Sequence, residues 1–256
     1  MLPGERRIRI LELLKRNKSI TVKTLCDTLE ASEATIRRDL ASLEADGKLE
    51  RTHGGAMLVG PVPLEYEETF HQKENMNALQ KRAIALKAYD FLKDNDSIAM
   101  DAGTTNLELA KLIGKSRLRL TVVTNSTNVA DAVSTNEGVT LYVVGGKLRL
   151  NTLATVGTQA VEMVRRFQVN KSFIGVNGIT LDNGFTTPDL EEADIKRALL
   201  SIGVQRFVLA DHSKFTKVAI CQIAPVSMVD GIITDKELEQ ELMEAYIQND
   251  VQVIIA

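Results

Sequence analysis

Four short polar strings each follow an apolar run of strand length: Asp101-Ala102-Gly103-Thr104-Thr105, Thr124-Asn125-Ser126, Gly175-Val176-Asn177-Gly178 and Ala210-Asp211-His212-Ser213-Lys214-Phe215. In the first, a glycine lets backbone approach a ligand, and two threonine hydroxyls join free helix N-terminal amides in holding an anion such as phosphate. In the second, amide and hydroxyl groups suit the hydroxyls of a sugar. The third is continued by Gly184-Phe185-Thr186-Thr187 and Glu191-Glu192. Each string also reads as an ordinary turn or helix cap. Four of them at equivalent strand ends carry more weight than any one.

These strings need a scaffold, and the chain beyond residue 77 supplies an alternating one. Strand candidates are 97–101, 120–124, 139–144, 172–176, 206–210, 218–223, 231–234 and 251–255, and helical stretches are 77–93, 107–113, 129–134, 153–167, 190–202 and 237–248. Continuous Val/Ile-rich strands separated by helices predict an α/β domain, a mostly parallel sheet covered on both faces. Ligands of such sheets bind outside the carboxyl ends of the strands, where all four strings fall. Gly145-Gly146 is expected to bring backbone near the same crevice.

The first sixty residues read differently. Pro3 opens a helix with Ile8, Leu11 and Leu14 as its stripe and Ile10 beside them, ending near Asn17. Thr21 caps a second helix carrying Val22, Leu25 and Leu29, and Ser32 a third carrying Ile36, Leu40 and Leu43 that stops at Gly47. Three helices joined by short turns point to a helix-turn-helix. Arg38, two residues past Ile36, lies about 200 degrees round the helix and so points away from the core, flanked by Arg37 and Thr35. Residues 48–57 alternate, are basic and contain a Gly-Gly turn, the pattern of a small hairpin or wing. From 57 to 78 the amphipathic period is lost, and Pro61, Pro63 and Glu65-Tyr66-Glu67-Glu68 mark a linker. The expected divisions are 1–57, a linker at 58–76, and 77–256.

Composition narrows the field. At 256 residues, 44% hydrophobic and 25% charged, the chain matches an ordinary globular protein and excludes collagen-like and disordered classes. No apolar run reaches the roughly 18 residues of a membrane span, and the start lacks the apolar core of a signal peptide, so a cytoplasmic protein is expected. Cys26 and Cys221 form no disulfide framework or zinc pattern and are expected to be apolar fillers; no metal or cofactor is expected. The net charge of -3 is unevenly placed: residues 1–60 hold 11 basic and 9 acidic residues, a net of +2, and the remainder a net of -5. Such asymmetry is expected when one segment meets a polyanion.

Arg6, Ile10, Leu14, Ser32, Thr35, Ile36, Arg37, Arg38, Asp39 and Leu40 fall at the spacing of the helix-turn-helix signature of the DeoR family of bacterial transcriptional regulators, which the segment resembles. The resemblance implies a winged helix-turn-helix whose third helix enters the major groove of double-stranded operator DNA. Arg37 and Arg38 can then donate to guanine O6/N7 or to phosphates, Ser32 and Thr35 can reach phosphates or base edges, and Lys48, Arg51 and His53 on the wing suit the backbone. Asp39 reads as a structural partner for an arginine.

The remainder resembles the family's carboxy-terminal domain, similar in fold to ribose-5-phosphate isomerase and glucosamine-6-phosphate deaminase, which senses phosphorylated sugars. Carried over by motif, Thr104, Thr105 and Lys214 are expected on the phosphate and Asp101, Asn125 and Glu192 on hydroxyls, with Gly103 and Asn177 in the same site. The implied protein is a homo-oligomer, a dimer or tetramer, that represses a carbohydrate-utilisation operon and meets no membrane. The rival is a sugar-phosphate isomerase with a DNA-binding extension, which needs a carboxylate base. The paired-acid loop of those isomerases is here Val176-Asn177-Gly178, and an amide cannot abstract a proton; Glu192 and Asp101 remain as bases.

Overall fold

The computed structural model describes residues 2–256 apart from 18, 47, 53, 59–61, 65 and 66; Gly47 and His53 therefore lie outside the described residues. The chain forms two compact units, 1–62 and 63–256.

In the smaller unit, α1 (Pro3–Asn17), α2 (Val22–Leu29) and α3 (Glu33–Ala45) are joined by a three-stranded sheet of β1 (Ser19–Thr21), β2 (Leu49–Thr52) and β3 (Gly55–Leu58), in the order β1-β3-β2 and antiparallel throughout. Thr21 and Ser32 cap α2 and α3 as expected, accepting from Thr24 N at 3.1 Å and Thr35 N at 3.3 Å. Ile10, Leu14, Leu25, Ile36, Leu40 and Leu43 form the core. Ile8 is 62% exposed while Ile10 is fully buried, so the stripe of α1 runs through Ile10 and Leu14, four residues apart. Two features hold the helices and wing together. Arg6 Nε donates to Asp39 Oδ2 at 2.5 Å, fastening α1 to α3, and β3 lies so close to β1 that a Cβ on Gly55 would run into the Ile20 carbonyl. The strand β1 escapes the sequence because three residues with one buried position give no alternation to count.

The two-residue β4 (Val62–Pro63) is followed in the larger unit by α4 (Phe70–Asn75), α5 (Ala78–Tyr89), β5 (Ser97–Met100), α6 (Thr104–Gly114), β6 (Leu120–Thr124), α7 (Thr127–Val133), β7 (Val139–Val143), β8 (Lys147–Arg149), β9 (Ala154–Val156), α8 (Thr158–Val164), β10 (Val169–Gly175), β11 (Gly178–Thr180), β12 (Gly184–Thr187), α9 (Leu190–Ser201), β13 (Gly203–Leu209), β14 (Lys217–Val218), β15 (Cys221–Ala224), β16 (Gly231–Thr234), α10 (Gln240–Gln248) and β17 (Val253–Ile255). Seven strands form one wholly parallel sheet in the order β17-β16-β13-β10-β5-β6-β7. Both faces are buried. Ala99, Ile174 and Val208 pack under α8 and α9, while Ile98, Met100, Phe173 and Phe207 pack under α5, α6 and α7, which explains the unbroken apolar runs. The chain leaves β5 toward β6 and β7, then returns to β10 on the other side of β5. The order therefore reverses between β5 and β10, and their carboxyl ends open a crevice.

Three expectations differ from the structure. Residues 153–167 are not one helix: Ala154–Val156 is a strand paired antiparallel to β8, and only then does α8 begin. Residues 218–223 do not join the parallel sheet. Cys221–Ala224 instead pairs antiparallel with β12 in a sheet ordered β11-β12-β15. The segment 58–76 is divided, since the compact units meet at 62 and 63 and Phe70 is buried in the larger one. It lacks an amphipathic period because it is fastened by one aromatic ring and by ion pairs, described below.

Gly55→Ala is expected to destabilise the smaller unit by about 1–3 kcal/mol through overpacking against β1. Amide exchange at Ile20 and Ala56 of the intact chain should quicken, while the amides of β5 and β10 keep their protection.

Candidate functional site

Two sites emerge, one in each unit. On α3 the cap Ser32 shares its hydroxyl with Thr35 Oγ1 at 2.8 Å, and Thr35 is half-buried. Arg37 is exposed and paired with Glu33 one turn earlier, 2.7 Å away. Arg38 is exposed and makes no ion pair or hydrogen bond among the described residues, so its five donors are free for a partner outside the unit. On the wing, Arg51 is held by Glu44, Nε to Oε2 at 2.7 Å, and Lys48 lies 3.9 Å from Asp46. The guanidinium beside Glu44, together with the Arg51 backbone amide, holds that carboxyl below its ordinary range. Asp39 is buried and taken by Arg6, so it does not face a phosphate. His53 lies outside the described residues.

The second site is a pocket over the crevice between β5 and β10. Asp101, Gly103, Thr104, Thr105, Asn125, Asn177, Glu192 and Lys214 all line it, from the ends of β5, β6 and β10, the start of α6, α9 and the turn after β13. At its floor the Asp101 carboxylate accepts from Gly103 N at 2.8 Å, Asn106 Nδ2 at 2.6 Å, Gly175 N at 3.0 Å and Lys196 Nζ. Burial opposes a charge on Lys196, but Asp101 and Glu192 outweigh it and raise its pKa. Asp101 is thus committed to protein donors on every side, which leaves the ligand-facing chemistry to its neighbours.

Gly103 and Gly175 face each other here. A Cβ on Gly103 would come 2.9 Å from Asp101 Oδ1 and 3.4 Å from Gly175 Cα, so the two loops meet only without side chains. The helix that follows starts with no side-chain cap, and Leu107 N is the first amide to reach back, to Gly103 O at 3.0 Å. The preceding amides of α6 are left for a partner, beside the hydroxyls of Thr104 and Thr105. Four lysines line the same pocket: Lys196 at its floor, and Lys73, Lys81 and Lys214. Burial pushes Lys81 down to about 8 against the pull of Asp211, and the charge of Lys214 adds to burial. Burial likewise lowers Lys73, with Glu192 and Glu67 opposing. An anion would relieve both costs. Asp211, by contrast, is lowered: burial is outweighed by Lys214 and by hydrogen bonds from Ser213 and Asn77.

Further polar groups line the pocket. Asn125 Nδ2 donates to Thr155 O at 2.9 Å, which fixes the amide, while its buried Oδ1 has no partner. Glu192 accepts from Arg149 at 2.6 Å and from the Thr152 hydroxyl, and Asn177 Oδ1 accepts from Thr187 Oγ1 at 3.0 Å. His212 Nδ1 lies 2.9 Å from Asp235 Oδ1, a loop bond rather than a pocket group. Gly145 and Gly146 do not line the pocket; Gly146 is pressed against the Val156 carbonyl of β9 instead.

Sequence reading missed Lys73, Lys81, Lys196 and Arg149, and two of them carried a signal. Lys81 shares a face with Ile84, Ala85 and Ala88, and Lys196 with Ala193, Leu199 and Leu200. A lysine on the buried stripe of a helix is expensive without a partner, and each position marks one.

Residues 6–61 match the DeoR-like helix-turn-helix domain and residues 76–236 the DeoR C terminal sensor domain. Over 254 residues the chain is 37% identical to the HTH-type transcriptional regulator GlpR of Haloferax volcanii, spanning 99% of this chain and 98% of that one. It is 36% identical over 242 residues to the lactose phosphotransferase system repressor of Lactococcus lactis, spanning 94% of each. Among solved structures, ribose 5-phosphate isomerase A of Methanocaldococcus jannaschii overlays with a TM-score of 0.41 at 15% identity, over 54% of this chain and 55% of that one.

Arg38→Ala should weaken binding to a cognate duplex by about 1–3 kcal/mol and relax preference at one base pair. Arg51→Ala should weaken all duplexes alike and flatten the salt dependence by about one unit of slope. Titration of cognate and random duplexes at several salt concentrations separates the two; equal losses on both duplexes remove Arg38 from base reading.

Proposed function

The chain belongs to the DeoR family of transcriptional regulators, and we propose that it represses a carbohydrate-utilisation operon and is released from operator DNA by a phosphorylated sugar. One observation carries the reading. An uncapped helix N-terminus, two threonine hydroxyls and three lysines, of which burial strains Lys73 and Lys81, converge on the crevice where strand order reverses. That set of donors suits a phosphate. The pocket lining also includes acceptors on Asn125, whose Oδ1 has no partner, and on Glu192, and so asks for hydroxyl donors. A phosphorylated polyol meets both demands.

The relatives support the sugar context, one of them being named a lactose phosphotransferase system repressor. In the smaller unit, free Arg38 on α3 supports direct base readout, with Ser32, Thr35, Arg37, Lys48 and Arg51 around it. Readers of this type bind two-fold sites as dimers, so a homo-oligomer acting in the cytoplasm is part of the proposal. No helix among the described residues is long and apolar enough to cross a membrane. Catalysis is not part of it: Asp101 and Glu192 are held in ion pairs with Lys196 and Arg149, and Asn177 offers an amide where an isomerase needs an acid.

A duplex selected by the intact chain from a random library supplies the operator. Glucose 6-phosphate, fructose 1-phosphate and glycerol 3-phosphate, set against inorganic phosphate and the unphosphorylated sugars, supply the effector test by thermal shift. Lys214→Ala and Thr104→Val should hold that duplex as wild type does yet no longer release it when the phosphorylated compound is added. Normal release by both variants would remove the phosphate from this place.

The affinity should also depend on pH. Below pH 8 Lys81 is charged in the free protein; above it, binding must take up a proton, so affinity should fall by up to tenfold per unit from pH 8 upward. The phosphate, with its second pKa near 6, is a dianion throughout this range. Isothermal titration between pH 7 and 9.5 should show this loss in wild type and a shallower one in Lys81→Met.

A further inference from the structure

The chain that continues from the smaller unit is fastened to the body of the larger unit beside the pocket. Leu64 N donates to Val218 O at 2.9 Å and Phe70 N to Asn151 O at 2.8 Å, while Phe70, Lys73 and Met76 themselves line the pocket. Between these points Glu67 is gripped by Arg149, with Nη2 at 2.7 Å and Nη1 at 3.2 Å, and by Asn151 Nδ2 at 2.9 Å. The same guanidinium serves Glu192 at 2.6 Å and lies 3.5 Å from Asp189. Three carboxylates therefore compete for one cation, and only Glu192 among them lines the pocket. Lys73 adds a second link, because it faces the pocket and stands 3.8 Å from Glu67.

We propose that residues 67–76 are a strap, pinned by Glu67 to Arg149 in the operator-binding state and loosened when a phosphorylated ligand draws Lys73 toward itself and engages Glu192. The inference rests on the reading of the pocket as a sugar-phosphate site. Its physical basis is that Lys73 and Glu67 belong to one short stretch, so moving the lysine toward an anion shears the neighbouring ion pair. The Arg149 guanidinium is only about 16% exposed, which leaves little water to replace a lost partner. An effector changes DNA affinity only by preferring one of two states, and the strap gives those states a structural difference on the chain segment leading to the DNA-binding unit. Arg149 and Glu67 are positioning residues in this scheme; neither lines the pocket.

The test uses Glu67→Gln in the intact chain, with Arg149→Met as a second variant. Glu67→Gln keeps the shape and removes the charge, and its pocket is untouched. Without any phosphate it should hold the selected operator at least tenfold more weakly than wild type, and its remaining response to the most stabilising of the three phosphates should be under threefold. Its affinity for that compound should rise by about tenfold, because the pinned strap no longer opposes binding, which a general loss of folding would not permit. In wild type, that same compound should speed amide exchange at Leu64 and Phe70. Wild-type operator affinity and full response in Glu67→Gln, or unchanged or slower exchange at both amides, overturns the strap. Should none of the three phosphates bind wild type, the reading of the pocket fails, and the comparison of operator affinity without phosphate still decides the strap.

Discussion

The larger unit depends on the buried pair of Asp101 and Lys196. One carboxylate gathers the turn after β5, the first turn of α6, the end of β10 and the middle of α9. Each charge is tolerated in the interior because the other is there, and removal of one partner from such a pair costs about 3–5 kcal/mol. The pair sits beneath the pocket and neutralises itself. Above it Lys73, Lys81 and Lys214 line the pocket, with Asp211 and Glu192 as counter-charges in the same lining.

Charge is organised differently in the two units. On α3 and the wing most cations already have surface partners, Arg37 with Glu33 and Arg51 with Glu44, and exposed pairs of this kind contribute little and exchange readily for phosphate. Arg38 stands out by having no such partner among the described residues. In the larger unit Lys81 is buried and Lys73 and Lys214 are half-buried, and burial lowers the pKa of Lys81 and Lys73.

Much of this was legible in the sequence for reasons that can be stated. The parallel sheet announced itself because burial on both faces makes strands such as Leu120–Thr124 and Gly231–Thr234 unbroken apolar runs, and both have the expected limits. The eight expected pocket residues come together because strand ends in a parallel sheet share one edge. What stayed hidden was held by contacts between distant residues. Nothing near Glu67 in sequence tells of Arg149, and the separation of β9 from α8 is set by pairing with β8, not by local preference. The donors that hold Asp101 were hidden for the same reason, since Gly175 N and Lys196 Nζ reach it from far along the chain.

The strand order has a temporal consequence. Strand β5 pairs with β10, Ile98 opposite Lys171, so the centre of the sheet closes only after more than seventy intervening residues have been made, and the pocket needs the chain as far as Lys214. The smaller unit is complete by residue 62. Contacts this far apart in sequence form slowly, and domains fold in the order they leave the ribosome. During synthesis each molecule therefore has its DNA-reading half before its sensing half, and a ligand bridging the late-formed crevice would favour completion of the nascent sensor by mass action.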